Sequence, residues 1–117
     1  MALLNASTFN YFKDDLQDHG IIESLIEIIK DTATPGSLYI RELAFNILSN
    51  VCEDCRNNQK ALRRYKGIEV VRDNITLKQV DQSGNCTTFT IAVLDCLSKA
   101  IYGNKRSEAH FLDIEGL

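Results

Sequence analysis

The chain has 117 residues, of which 44% are hydrophobic and 25% are charged, a composition typical of one ordinary globular domain. Its 13 basic and 16 acidic residues give a net charge of -3. This sign disfavours nucleic acid as a partner, because general binding to nucleic acid depends on neutralising phosphates. One proline and six glycines are too few for the frequent turns of an all-β fold. The composition therefore indicates a helical protein.

The chain shows no pattern for membrane insertion or secretion. No stretch approaches the roughly 18 consecutive apolar residues of a membrane-spanning helix, and the amino-terminal residues lack the basic flank and apolar stretch of a secretory signal. We therefore expect an intracellular protein with no membrane partner. In a reducing compartment its four cysteines are expected to be thiols.

The clearest helical pattern runs over residues 38–52. There apolar residues recur in adjacent pairs four positions apart, which predicts one wide apolar stripe on a helix, formed by Leu43/Ala44, Ile47/Leu48 and Val51/Cys52, led by Ile40. Ser37 follows a breaker cluster around Pro35 and is the expected N-cap. A second stripe of the same form covers residues 89–101, and we expect the two stripes to stack as the interior.

The second stripe repeats the first at an offset of 49 residues. The same offset continues downstream, where Arg56 is matched by Lys105 and Gly67 by Gly116. Upstream, Gly20 and the apolar residues behind it match the segment at Gly67 at an offset of 47. One unit is then predicted as a short helix 57–66, a break at Gly67, a helix from 68 to about 78, a loop and a helix 87–102.

A period of 40 to 50 residues built from such helices is typical of an armadillo or HEAT solenoid. We therefore predict an all-α, armadillo/HEAT-like right-handed helical solenoid of about two and a half repeats. The single segment 1–117 would hold units at about 5–55 and 56–104 and a partial unit at 105–117. Gly20, Gly67 and Gly116 would form the corners between helices, because glycine tolerates unusual backbone angles. A plain helical bundle with coincidental spacing is the alternative.

Residues 41–52, ending in Leu-Ser-Asn-Val-Cys, resemble the long third helix of armadillo repeats. In nuclear-import receptors and catenin-type armadillo proteins, an Asn at this place lines the concave groove and hydrogen-bonds an extended peptide backbone. The resemblance implies that role for Asn50, and a carboxamide can both donate to and accept from a peptide. Asn46 stands one turn earlier, where the import receptors have Trp, and Lys99 takes the place of the Asn in the next repeat.

The segment 101–117 contains a Phe-Leu-x-x-Glu-Gly-Leu passage and resembles armadillo-type proteins of cilia and flagella. That resemblance, which covers about residues 38–117, implies a scaffold of the axoneme without catalytic activity, located in the cytoplasm and cytoskeleton and acting within a large complex. The chain ends where a further helix is expected, so we expect a fragment of a longer solenoid or an end covered by a partner. Expressed alone, it should be oligomeric or poorly soluble.

The residues that could carry chemistry form no recognisable active site. Cys52 and Cys55 form a C-x-x-C pair at the end of a predicted helix, where the helix dipole disfavours a thiolate. Cys86 and Cys96 lie too far apart for a second zinc-binding pair. Neither His19 nor His110 has a nucleophile at a suggestive spacing. We therefore predict no enzyme, no cofactor and no metal.

The short helix 57–66 is strongly basic. Leu62 and Tyr65 are expected to turn inward, whereas four cations should point to water: Lys60, Arg63, Arg64 and Lys66. Such a ridge could dock an acidic partner, for instance the glutamate-rich surface of tubulin or an acidic coiled coil. A solvated helix face is the alternative explanation.

The resulting hypothesis is a non-enzymatic structural scaffold that mediates protein-protein interactions, as a component of the ciliary or flagellar axoneme. Its partners would be axonemal proteins, with tubulin as one candidate. One alternative is a soluble adaptor that binds an extended peptide in a groove centred on Asn50. Another is a regulatory helical domain of a large enzyme.

Overall fold

The computed structural model of the chain describes residues 20–75 and 87–115. Within these two ranges every regular element is an α-helix and no strand occurs, which confirms the predicted all-α class. The described helices are α1 (Ile21–Lys30), α2 (Ser37–Cys52), α3 (Arg56–Arg64), α4 (Gly67–Asp73), α5 (Thr88–Ile101) and α6 (Lys105–Ile114). Predictions that concern His19, Cys86 and Gly116 fall outside the described residues. The helix predicted from 68 to about 78 was too long, because α4 ends at Asp73 and Asn74 is its C-cap.

Helix α2 begins at Ser37, so the prediction of Ser37 as N-cap was wrong by one position. The N-cap is Gly36, which has φ 77° and no side chain to cap the helix. Glycine suits this place because a left-handed backbone conformation is strained for residues with a Cβ. The end of α2 at Cys52 agrees with the prediction.

At the corner between α3 and α4, Gly67 is not the residue with the unusual backbone angles that we expected. The left-handed residue there is Lys66, with φ 63°, and Gly67 is the first residue of α4. A Cβ on Gly67 would lie 2.1 Å from Leu62 Cδ1 and 3.0 Å from the Leu62 carbonyl oxygen. Gly67 therefore permits a close approach between two helices, whereas Gly20, with φ 76°, does occupy the expected left-handed corner.

The core lies between α2 and α5, which form the most extensive helix–helix interface of the described chain. The rings of Phe45 and Phe89 pack edge to face with centroids 5.6 Å apart, and the Arg41 guanidinium carbon lies 5.2 Å from the centroid of the Phe89 ring. Helices α1, α3 and α4 contribute further buried apolar residues to the same cluster. Removal of this apolar surface from water is the main stabilising contribution.

Only part of the predicted α2 stripe is buried, which corrects the expectation that the whole stripe forms the interior. Ala44, Leu48 and Val51 are buried, but Ile40, Leu43 and Ile47 keep 44–46% of their surface exposed. Their counterparts on α5 are fully covered, because α5 rests on α2 whereas no described helix rests on the outer side of α2. These counterparts are Phe89, Ala92 and Cys96.

Two buried amides hold the carboxyl ends of α2 and α5. The Asn58 side-chain amide donates to the Val51 carbonyl oxygen at 2.7 Å. The Gln59 amide donates to three carbonyl oxygens, those of Lys99 at 2.9 Å, Cys52 at 3.1 Å and Tyr102 at 3.2 Å. Because the last carbonyls of a helix have no partner within the helix, Gln59 joins both helix ends to α3.

No described helix is both long enough and apolar enough to cross a bilayer.

Candidate functional site

A cleft of about 380 Å³ lies between α3 and the turn that joins α5 to α6. Five of its lining side chains are basic and none is acidic. The remaining lining residues are asparagines and a glycine. The five cations, termed the basic cleft from here on, are Arg56, Lys60, Arg63, Lys105 and Arg106.

The turn between α5 and α6 brings two of these cations next to α3. Gly103, with φ 70°, redirects the chain after α5. Asn104 then caps α6, since its side-chain oxygen accepts a hydrogen bond from the Ser107 backbone N–H at 3.1 Å. The first residues of α6 are Lys105 and Arg106, and the positive end of the helix dipole adds to their charge.

Arg63 does not point to water as expected. Its guanidinium is half-buried and donates to Ser107 Oγ at 2.9 Å and to Asn104 Oδ1 at 3.4 Å. Ser107 is itself fully buried. Arg63 therefore fixes the start of α6 against α3, and it places one positive charge on the floor of the basic cleft.

The other four cations of the basic cleft are exposed. Ion pairs within the described ranges use the cations Lys30, Arg72 and Lys99, and none uses a cation of the basic cleft. Asp54 borders an adjoining smaller cleft beside Arg56. Within the part of the chain that the structure describes, no ion pair neutralises the positive charge of the basic cleft.

The charge of the whole chain is distributed unevenly. Seven of its 13 Lys and Arg residues fall within residues 56–66 and 105–106, where no acidic residue occurs, and the other six share the rest of the chain with all 16 acidic residues. A net-negative protein therefore carries one locally positive surface. Such a surface attracts negative ligands and steers their approach.

A smaller cleft of about 190 Å³ adjoins the basic cleft along α3 and is lined by Lys60, Arg64 and Tyr65 among others. Tyr65 was predicted to turn inward, but 43% of it is exposed, whereas Leu62 is fully buried as predicted. Tyr65 follows the last residue of α3, where the chain already leaves the helical path. Lys66 lies at the following corner and is exposed.

The polar residues predicted for a peptide groove have different surroundings. Asn46 and Asn50 are exposed one turn apart on α2. Lys99 on α5 instead pairs with Glu53, with 3.3 Å between Nζ and the carboxylate oxygen. The hydrogen bond and charge of Glu53 raise the pKa of Lys99, so Lys99 already has a partner within the chain.

The cysteines of the described chain lie in the core. Cys52, Cys55 and Cys96 are buried. Burial, and after it the neighbouring Cys52, raises the pKa of Cys96 well above its ordinary range. A thiol held in its protonated form is a poor nucleophile and a poor metal ligand.

His110 links two helices. Its Nε2 lies 2.9 Å from Glu69 Oε1, which connects α6 to α4. Among the described residues, no group of three or more His, Cys, Asp or Glu side chains could hold a metal ion.

Sequence reasoning identified two of the five cations of the basic cleft, Lys60 and Arg63. It missed Arg56, which lies just before the predicted helix 57–66, and it missed Lys105 and Arg106, which follow in a separate segment. The offset of 49 residues, which pairs Arg56 with Lys105, was the signal that could have joined the two segments.

No protein-family model, curated protein or solved structure matches the chain. We therefore infer its function from its own geometry.

Proposed function

We propose that this chain is a non-enzymatic scaffold segment of stacked, armadillo-like helical layers that holds acidic segments of partner proteins. The basic cleft is the main observation that supports this proposal. It gathers five cations from two helices, and none of them forms an ion pair within the described ranges.

The order of helix contacts supports the layered arrangement. The three described helices that have a described counterpart in the next unit all contact it: α1 contacts α4, α2 contacts α5 and α3 contacts α6. In a repeat protein each layer packs mainly on its neighbours. The proposed layers are therefore α1–α2, then α3–α5, then α6.

The chemistry of the basic cleft favours carboxylates. Exposed lysines supply point charges, and arginine guanidinium groups can bind a carboxylate through two parallel hydrogen bonds. A peptide rich in Glu or Asp could place several carboxylates along the basic cleft at once. The net charge of -3 repels phosphates and carboxylates alike, so an RNA oligonucleotide is included as the competing ligand in the binding test.

The cellular setting of the proposal is the axoneme of cilia or flagella. It is supported by the resemblance of residues 101–117 to armadillo-type ciliary proteins. In that setting the acidic partner would be the glutamate-rich surface of tubulin or an acidic coiled coil of another axonemal protein.

A binding titration tests the basic cleft. The ligand is a fluorescent peptide of repeated Glu, and a Gln peptide of equal length serves as the neutral control. We expect the Lys60→Glu/Arg106→Glu double variant to lose at least about tenfold in affinity for the Glu peptide, with a weaker salt dependence. The matched control is Lys30→Glu, which reverses an exposed charge on α1 and should change little.

Three results would count against this function. They are no difference between the Glu and Gln peptides, equal losses for the basic-cleft and Lys30 variants, or tighter binding of an RNA oligonucleotide than of the Glu peptide.

A second candidate function is the adaptor that binds an extended peptide through Asn50. It is favoured by the exposure of Asn46 and Asn50 on one face of α2. Here Asn50→Ala should weaken binding of a peptide whatever its charge, whereas the basic-cleft double variant should not.

A further inference from the structure

Within residues 20–75 and 87–115, two mainly apolar helix faces at opposite sides of the α2–α5 pair are not covered by another helix. The first, termed the leading face, consists of Ile40, Leu43, Ile47 and Asn50 on α2. The second, termed the trailing face, consists of Leu94, Ser98, Ile101 and Tyr102 at α5 and its C-cap. Leu94 is 45% exposed and Tyr102 is 72% exposed.

The interface inside the chain shows what each face can bind. There the side of α5 that carries Phe89 and Cys96 packs on the side of α2 that carries Phe45 and Cys52. These two sides are the counterparts of the open faces at the offset of 49 residues. Ile40 corresponds to Phe89 and Ile47 to Cys96, while Leu94 corresponds to Phe45 and Ile101 to Cys52.

Each half of the internal α2–α5 interface therefore has a largely exposed counterpart in the chain, in which Ile101 is partly buried. We propose that a second copy of this chain covers the leading face with its trailing face, so that copies stack head to tail. The proposal rests on the layered arrangement given under the proposed function. Because each added copy again presents an open face, such association is heterologous and leads to an open-ended fibre.

The two faces are chemically compatible. The leading face is apolar up to Asn50, and the trailing face is apolar except for Ser98 up to Tyr102. Neither face contains a charged side chain, although the cleft at the end of the trailing face is bordered by Glu53, Asp54 and Lys99. Within the chain the carboxyl end of the interface is closed by the ion pair of Lys99 with Glu53. Between copies the corresponding residues are Asn50 and Tyr102, an amide and a phenol that can hydrogen-bond without repulsion.

Two blocked variants test the direction of stacking. Ile47→Lys blocks the leading face and leaves the trailing face intact, whereas Leu94→Lys does the reverse. By sedimentation velocity, the unmodified chain should show a mass that rises with concentration beyond that of a dimer. Each variant alone should be a monomer, and an equimolar mixture of the two should form a single 1:1 dimer.

Ile28→Lys is the matched control, since Ile28 is a similarly exposed apolar residue on α1, outside both faces. It should associate like the unmodified chain. Circular dichroism of every variant checks that the fold is kept, and exposed positions are chosen so that lysine can be accommodated.

Three outcomes would overturn the proposal. The first is an unmodified chain that stays monomeric at all concentrations. The two faces would then be covered by other repeats or by a different partner. The second is a Leu94→Lys variant that still dimerises, which would indicate a two-fold contact of leading faces. The third is a mixture of the two blocked variants that remains monomeric.

The outcome of the stacking test does not depend on the outcome of the basic-cleft test. Both blocked variants keep the basic cleft, so they should bind the Glu peptide as tightly as the unmodified chain does. Loss of peptide discrimination would contradict the proposed function, while the mixing experiment would still report on stacking.

Discussion

The ring of Phe89 meets the ring of Phe45 edge to face, with the two planes at 85°. The two residues are not counterparts within the period of 49 residues, since Phe89 corresponds to Ile40 and Phe45 to Leu94. Such a contact is expected when two repeats stack, because the Phe45 side of α2 then packs on the opposite side of α5, which carries Phe89. A symmetric pair of helices would instead bring equivalent positions together.

Substitutions of Phe45 and Phe89 should have non-additive effects on the free energy of unfolding. Each single change to Ala should lower the free energy of unfolding by about 3–5 kcal/mol, because both rings are buried in the core. The double variant should lose about 0.5–1.5 kcal/mol less than the sum of the two single losses, because either single change already removes the interaction between the two rings. Urea unfolding measures all three losses. Additive losses would mean that the rings do not stabilise each other.

Gln59→Leu should destabilise the junction of α2, α3 and α5. The substitution keeps the volume but leaves the carbonyl oxygens of Lys99 and Tyr102 without the donor they now have, which costs about 1–3 kcal/mol. Hydrogen exchange should accelerate at the carboxyl end of α5. Asn46→Leu is the control, because Asn46 is exposed on α2, and it should leave stability nearly unchanged. Equal effects of both changes would refute the role of Gln59.

Gly67→Ala should destabilise through a clash with Leu62. The added methyl group would lie 2.1 Å from Leu62 Cδ1, and overpacking of this kind costs about 1–3 kcal/mol. Since the nearest atom belongs to a side chain, Leu62→Ala should relieve part of the clash. Thermal unfolding of the double variant should therefore show a smaller loss than the sum of the single variants. A neutral Gly67→Ala would contradict the close approach of α3 and α4.

The turn after α1 should show a pH dependence that is controlled by Asp31. The Thr34 hydroxyl donates to its carboxylate, as do the backbone N–H groups of Ala33 and Thr34, and these hydrogen bonds lower the pKa of Asp31. A lowered pKa stabilises the fold above about pH 4, and this contribution is lost as the pH falls through the folded-state value.

Thr34→Val removes the largest of these causes, so NMR titration should find a higher pKa for Asp31 in the variant. The stability advantage of the unmodified chain over the variant should shrink in acid. Thr32→Val, at a nearby exposed threonine, should leave the pKa of Asp31 unchanged. A stability difference that grows in acid would have the wrong sign for this mechanism.

The sequence pattern predicted the helices well because periodicity reports which residues avoid water. It located α2 to within one residue at its start, and it recognised the spacing that relates α2 to α5. It could not tell which side of each stripe would be covered. Ile47 and Cys96 occupy the same position of the period, yet Ile47 is exposed and Cys96 is buried. The difference arises because α5 packs on α2 at Cys96, whereas no described helix packs on α2 at Ile47.

The site was harder to predict because it depends on contacts between distant segments. Arg63 looked like a surface cation within its own helix, and only the packing of α6 turns it toward Ser107. The sequence pattern indicated no role for Gln59, which is buried and donates to carbonyl oxygens at two helix ends. Neither role follows from local periodicity.

The central claim is that α2 and α5 are successive layers, with the trailing side of one packed on the leading side of the other. The most direct test is the set of nuclear Overhauser effects from the ring protons of Phe89 in isotopically labelled protein. The layered arrangement predicts strong effects to the Phe45 ring and none to the methyl groups of Ile40. Strong effects to Ile40 without any to Phe45 would contradict it.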